Sequence, residues 1–264
     1  MRRRMRQLHR LLGFTAVIAV QFSCGQDPAA PSNSGNNNCP STATPHALGA
    51  NTPGALTTSD CTLSDGSYID YYSTTLTAGA YLFNQSSTAF DTYLFVLTPD
   101  RFLIAFDDDD PQLSTNSEIK ALLPAGDFIL AANAYPGSTG GYNLTSAATT
   151  TAVTGCEDVF VVKGVSTTQD LQSTDCQATA SYADNYLIAL RAGQSITVTM
   201  SSSAVDSFLE LYYFTGRVTF NDNQSTTSND AQFTYTATVS DVFIISAQSA
   251  GGTAATGAYT LTIQ

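Results

Sequence analysis

The sequence has few of the residues that catalysis, metal binding and nucleic-acid binding require. Its 264 residues include no tryptophan, two histidines and ten lysines and arginines, against 22 aspartates and glutamates. Five of the ten basic residues lie within the first ten positions, so residues 25–264 have a formal charge of −17. Such a surface repels nucleic acid and anionic membranes. The scarcity of histidine also argues against zinc, which usually takes four convergent Cys or His ligands.

The chain has no apolar run long enough to span a bilayer. The run Leu11 to Val20 follows a basic start and precedes Cys24, a layout typical of a secretory signal peptide. We interpret residues 1–24 as a lipoprotein-like signal peptide in which Cys24 is acylated. Gln21 and Phe22 depart from the usual lipobox, so ordinary cleavage nearby stays the alternative.

Residues 25–38 read GQDPAAPSNSGNNN and cannot bury a core, which predicts a disordered linker. Linkers of this kind commonly follow a lipidated cysteine. The sequence therefore predicts an exported protein that is either anchored by lipid in the bacterial cell envelope or released outside the cell.

The remainder shows no sustained helical periodicity. Short alternating runs, such as Ser195 to Met200 with Ile196, Val198 and Met200 on one face, are typical of β-strands. Turn residues separate these runs at regular intervals. The pattern predicts an all-β chain of antiparallel sandwich domains with minimal helix.

The chain is internally duplicated. Shifting it by about 115 residues aligns a series of landmarks, which is the signature of a repeated domain. We expect two tandem antiparallel β-sandwich, jelly-roll-like domains, residues 39–148 and residues 149–264. The aligned pairs are Cys39 with Cys156, Cys61 with Cys176, Asp70 with Asp184, Tyr72 with Tyr186, Gly79 with Gly193, Asp91 with Asp206, Leu94 with Leu209, and Phe106 with Phe220.

Four of the five cysteines lie inside the repeats. In an exported protein these are expected to be oxidised, and of the three connectivities open to four cysteines only Cys39–Cys61 with Cys156–Cys176 treats both repeats alike. Each closed loop would contribute about 3 kcal/mol by restricting the unfolded chain. The fifth cysteine, Cys24, is the one proposed to carry lipid.

The ordered motifs of each repeat resemble the bacterial pre-peptidase C-terminal domain family. This resemblance implies small non-catalytic β-sandwich modules, some of whose relatives bind calcium or fibrous and polysaccharide substrates. Signal, linker and two repeats account for all the residues, so we expect the usual peptidase domain to be absent or encoded elsewhere. The motifs are Asp70 to Tyr72, Asp184 to Tyr186, Asp91 to Leu94, Asp206 to Leu209, Gly141 to Leu144 and Gly257 to Leu261.

The densest chemical feature is a run of four carboxylates, Asp107 to Asp110. Such a turn could offer hard oxygen ligands to calcium, although alternation in an extended chain lets only part of it converge. The second repeat has only one carboxylate in the equivalent turn, which reads Asn221, Asp222 and Asn223. The alternative is a solvated turn that protects a sheet edge. The candidate calcium ligands are Asp91, Asp107, Asp108, Asp109, Asp110, Asp206 and Asp222.

No residue is predicted to be catalytic. His46 has no equivalent in the second copy and no nucleophile motif beside it, so we expect a surface-loop histidine. Tyr212 and Tyr213 should point to opposite faces of a strand and form no joint sugar platform. We expect a non-catalytic module that binds an extracellular polymer, a fibrous protein or an envelope protein. The alternatives are a structural spacer lipoprotein and, least supported, a secreted hydrolase.

Overall fold

A computed structural model describes residues 39–108, 115–149, 155–178, 180–252 and 254–264. The predicted signal peptide with Cys24, the linker, Asp109 and Asp110 lie outside the described residues. Within them, every regular element is a β-strand apart from one short 3-10 turn at Ala250–Gly252. The prediction of an all-β fold is confirmed.

The N-terminal half of the described chain contributes ten strands. They are β1 (Thr44–Pro45), β2 (Asn51–Leu56), β3 (Cys61–Thr62), β4 (Tyr68–Leu76), β5 (Gly79–Ser86), β6 (Thr92–Leu97), β7 (Leu103–Asp107), β8 (Ser117–Leu123), β9 (Gly126–Ala134) and β10 (Gly140–Thr149).

The C-terminal half of the described chain contributes ten more. They are β11 (Asp158–Val161), β12 (Ser166–Leu171), β13 (Cys176–Ala178), β14 (Ser181–Leu190), β15 (Ser195–Ser201), β16 (Ser207–Tyr213), β17 (Gly216–Asn221), β18 (Ala231–Thr236), β19 (Asp241–Ser249) and β20 (Gly257–Ile263).

These strands form three sheets. One has the order β1-β4-β9-β6-β7 with β3 beside β4, and another has the order β12-β20-β15-β18. The third contains ten strands in the order β17-β16-β19-β14-β11-β8-β5-β10-β2, with β13 beside β14. This long sheet runs through both halves because β11 pairs in parallel with β14 on one side and with β8 on the other.

The long sheet is covered on both faces where the halves meet. Along β14, Tyr186 and Ile188 belong to the core of the C-terminal half, whereas Leu187 between them belongs to the core of the N-terminal half. Phe160 of β11 likewise joins the N-terminal core, and Leu122 of β8 joins the C-terminal one. Alternate side chains of a strand point to opposite faces, so one strand serves two cores. The predicted strand β15 buries Ile196, Val198 and Met200, as its alternation indicated.

The two halves repeat one another strand by strand. Tyr72 pairs with Leu130 between β4 and β9, and Tyr186 pairs with Ile245 between β14 and β19. The β6–β7 hairpin and the β16–β17 hairpin shift register at the same place, after Val96 and after Leu211. These registers assign an equivalent in one half to most strand residues of the other.

Both predicted disulfides are confirmed. Cys39 is joined to Cys61 and Cys156 to Cys176, each with a Cα–Cα distance of 4.3 Å. Each bond ties the start of a half to a short strand beside β4 or β14. Disulfides of this kind are typical of exported proteins.

No helix in the described part of the chain is long and apolar enough to cross a membrane.

Candidate functional site

The first residue of the acidic run has a structural partner. The Asp107 carboxylate accepts a hydrogen bond from the Glu118 backbone N–H at 2.8 Å, where β8 begins. In the other half, the Asn221 side-chain oxygen accepts from the Gln232 backbone N–H at 2.9 Å, where β18 begins. Asn can replace Asp here because only an acceptor oxygen is needed.

The remaining candidate calcium ligands do not converge within the described residues. The backbone carbonyls of Asp91 and Asp206 accept hydrogen bonds from Tyr135 and Ala250, at 3.1 and 2.7 Å. In the described ranges, no three His, Cys, Asp or Glu side chains are grouped to hold a metal ion. Because Asp109 and Asp110 lie outside those ranges, calcium binding stays a prediction.

The Asp-x-Tyr motif and the closing tyrosine of each repeat form one hydrogen-bonded unit. Tyr142 donates to the Asp70 carboxylate at 2.6 Å, and its hydroxyl lies 2.7 Å from that of Tyr72. The C-terminal half repeats this unit, as Tyr259 donates to Asp184 at 2.5 Å and lies 2.6 Å from Tyr186. Each unit links the two sheets of its sandwich, which explains why the motif residues recur together.

In the C-terminal half, this unit includes a second buried carboxylate. Asp184 and Asp175 are 1% and 6% exposed, and one oxygen of each has no hydrogen-bond partner among the described residues. The pKa of Asp184 is raised to about 7, mainly by burial and in part by the neighbouring Asp175 carboxylate. Asp184 therefore takes up a proton near neutral pH, whereas an exposed aspartate stays ionised there.

His46 is buried, so the expectation of a surface-loop histidine is wrong. Its ring nitrogens lie 2.8 Å from the Thr52 hydroxyl and 2.9 Å from the Ser146 hydroxyl. Burial lowers the pKa of His46 and favours its neutral form. A serine and a histidine thus meet, but both are buried and a hydroxyl takes the place where a triad has its carboxylate. The arrangement is a core hydrogen-bond chain.

The two halves contact one another through the pairing of β11 with β8 and through β7. This strand lies against β14 and β11, and the Phe106 ring packs edge-on against Phe160 with 5.5 Å between centroids. Arg191 pairs with Asp100 at 2.5 Å and covers the Phe102 ring. The contact buries β7 almost completely.

The equivalent of β7 in the C-terminal half, β17, is uncovered. Phe220 is 52% exposed, whereas its equivalent Phe106 is 8% exposed. Arg217 lies over the Phe220 ring and pairs with Glu210 at 2.6 Å. We call this end, with Arg217, Val218 and Phe220 of β17 and Tyr235 of β18, the tail surface.

The opposite end of the chain is also open. An open groove of about 570 Å³ lies beside β1, β4 and β9. Its position matches the surface of the C-terminal half that covers β7, because Ser73 and Ile129 are equivalent to Leu187 and Ile244 by register. We call this groove the head surface. It is lined by Pro45, Ser73, Thr75, Asp127 and Ile129, together with Ala43, His46, Ala47, Thr74, Pro99 and Phe128.

Sequence reasoning did not find either surface. The exposure of Phe220 depends on which half lies beside which hairpin, and the aligned phenylalanines look alike in the sequence.

Tyr212 and Tyr213 have different surroundings, as expected for neighbours on a strand, since the Tyr212 hydroxyl donates to Glu210 and the Tyr213 ring stacks on Phe243.

No protein-family model matches the chain, and no curated protein matches it. Among solved structures, the pre-peptidase C-terminal domain of a Bacillus anthracis collagenase is 17% identical with a TM-score of 0.33, over 42% of this chain and 99% of that one. The tandem CBM22 domains of Paenibacillus barcinonensis Xyn10C are 9% identical with a TM-score of 0.22, over 82% and 98%. The CUB1-EGF-CUB2 region of human MASP-1/3 is 8% identical with a TM-score of 0.21, over 81% and 99%. These values assign neither a family nor a function.

Proposed function

We propose that the chain is an exported, non-catalytic protein of the cell envelope that acts by binding an extracellular polymer, a fibrous protein or an envelope protein. The observation that carries this proposal is the pair of open ends on a body whose two halves share one sheet. The shared sheet holds both ends in fixed positions, which suits a protein that joins other molecules.

The arrangement of polar groups supports a non-catalytic role. In the two Asp–Tyr–Tyr units, the ionisable side chains are used in hydrogen bonds that link sheets. His46 borders the head surface, but it is only 3% exposed and both of its ring nitrogens lie within hydrogen-bond distance of hydroxyls. General acid–base catalysis needs such a group within reach of substrate.

Anchoring through acylated Cys24 and calcium-assisted binding belong to the same proposal. Anchoring would place the body at a membrane surface behind the linker, residues 25–38. Calcium would act at the acidic turn Asp107 to Asp110 and stiffen the loop before β8. Both depend on residues outside the described ranges.

Co-sedimentation tests the proposal. The chain from residue 25 is mixed with insoluble cell-wall polysaccharide, fibrous collagen or isolated envelope, with calcium and with chelator. We expect retention by at least one of these materials and none by an inert resin of similar charge. Retention by none of them, in a protein that unfolds cooperatively, would reject binding and favour the structural spacer.

The hydrolase alternative has its own test. The same materials are assayed for release of soluble products by the wild type and by a His46→Ala variant. Turnover that the variant loses would overturn the non-catalytic assignment.

A further inference from the structure

We propose that the chain assembles head to tail, with the tail surface of one copy docked on the head surface of a second copy. The docking repeats the contact that joins the two halves within a single chain. This inference goes beyond the proposed function, because it names a second copy of the chain as a partner.

The tail surface is the equivalent of β7, a strand that the C-terminal half covers within the chain. Register makes Phe220 equivalent to Phe106, and Val218 equivalent to Ile104. In the N-terminal half these positions are 8% and 2% exposed, while in the C-terminal half they are 52% and 38% exposed. Exposed apolar side chains on an edge strand mark a surface that can pair or pack.

The edge of β18 is open in the same way. Its equivalent β8 pairs in parallel with β11 through Ala121 and Leu122. In β18 the matching positions are Tyr235 and Thr236, which pair with β15 on one side only. Strand addition at such an edge uses backbone groups that face away from the sheet.

The head surface is the equivalent, in the N-terminal half, of the surface by which the C-terminal half covers β7. Phe160 and Leu187 of the C-terminal half belong to the core of the N-terminal half, and Ile244 packs against it. By register, Pro45, Ser73 and Ile129 occupy these positions in the N-terminal half. There they line the open groove. A second copy is therefore the partner we infer, because the equivalent of its tail surface already packs on the equivalent of the head surface within one chain.

The residues that differ between the internal contact and the open surfaces change in a complementary way. Inside the chain, small Ala121 is paired with large Phe160. Between chains, large Tyr235 would face the smaller Pro45, which again sets one large side chain beside a smaller one and places a proline against an aromatic ring. Volume-conserving exchanges are the ones that packed contacts tolerate best.

Charge is complementary as well. Arg217 on the tail is equivalent to Leu103, and Asp127 on the head is equivalent to Val242. Two positions that are apolar at the internal contact thus carry opposite charges on the two open surfaces. Arg217 keeps Glu210 as a partner on the tail and would gain Asp127 of the second copy, whereas a head-to-head contact would bring two Asp127 carboxylates together.

The assembly would be open and weaker than the internal contact. A head-to-tail contact uses two different surfaces, so it continues in a line unless rotation closes a ring. Pro45 has no N–H to donate to β18, whereas Phe160 has one. The chain therefore exists as separate molecules at low concentration and as short arrays at high concentration.

A pair of complementary variants tests the proposal. Phe220→Asp disables the tail and Asp127→Arg disables the head, and both side chains are exposed, so both variants should fold. The chain from residue 25 is studied by sedimentation velocity and light scattering. Thr168→Asp, at an exposed position of β12, is the matched control.

The expected result has three parts. The wild type and the control form concentration-dependent oligomers, each variant alone is a monomer, and an equimolar mixture of the variants forms a 1:1 dimer and nothing larger. A dimer appears because each variant keeps the surface that the other has lost. A monomeric wild type, or a mixture that stays monomeric, would overturn the proposal. So would a wild type that stops at a symmetric dimer. None of these outcomes bears on polymer binding, which co-sedimentation measures separately.

Discussion

The buried pair Asp175 and Asp184 makes stability depend on pH in a predictable direction. Asp184 has its pKa raised from 3.8 to about 7, mainly by burial. The folded protein therefore binds the proton more tightly than the unfolded chain does. The contribution of protonated Asp184 to the unfolding free energy is fully present below about pH 3.8 and is lost as pH rises through about 7.

The magnitude follows from the same pKa. The difference between 3.8 and about 7 corresponds to about 4 kcal/mol of unfolding free energy between acidic and alkaline pH. In Asp184→Asn, the amide oxygen can accept from Tyr259 and the amide N–H can donate to Asp175, as a protonated carboxyl would. We expect the variant to match the wild type at pH 4 and to exceed its stability by up to about 4 kcal/mol at pH 8.

Denaturant unfolding between pH 4 and pH 8, followed by circular dichroism, measures this difference. Asp70→Asn in the N-terminal half is the matched control, because Asp70 also accepts from a tyrosine but is only half-buried. Its stabilisation at high pH should be smaller. A difference between wild type and Asp184→Asn that stays constant with pH, or that favours the wild type at pH 8, would refute the raised pKa of Asp184.

Three further predictions follow. Replacing Cys156 and Cys176 by serine should cost about 3 kcal/mol in denaturant unfolding, and no loss would mean that the unfolded loop is already constrained. Phe160→Ala should cost about 3–5 kcal/mol because the ring is buried between the halves, whereas Phe220→Ala should change stability by less than about 0.5 kcal/mol in the same assay. Calcium should raise the melting temperature of the wild type and chelator should reverse this, whereas a variant with Asp107 to Asp110 replaced by Asn should show no shift; an equal shift would place calcium elsewhere.

The sequence was sufficient for the fold class and both disulfides because these depend on local patterns. Alternation specifies strands, and the aligned cysteine pairs specify a local pairing that both repeats can share. The contact between the halves could not be predicted, because it depends on the pairing of β11 with β8. Nothing in the run Asp158 to Val161 indicates which strand it pairs with. The near-continuous apolar pattern of β14 was the available signal, since a strand buried on both faces must lie between two layers.

The candidate site also has features that the sequence shows and others that depend on how the strands are placed. The acidic turn was visible as composition, but the hydrogen bond from the Glu118 backbone N–H to Asp107 depends on how β7 and β8, which belong to different sheets, are placed. The burial of His46 was not predicted because one of its two partners, Ser146, lies 100 residues away in the sequence. The aligned Phe106 and Phe220 look identical, yet only one of them is covered.

Cysteine crosslinking between chains tests most directly whether the contact that joins the halves also joins copies. Phe106 and Phe160 are in ring contact within the chain, so their equivalents, Phe220 and Pro45, should meet between chains. Chains from residue 25 that carry Pro45→Cys or Phe220→Cys are mixed and oxidised. The account predicts a mixed dimer in clear excess over either dimer of like chains. Equal yields of mixed and like dimers, or no crosslink at all, would contradict it.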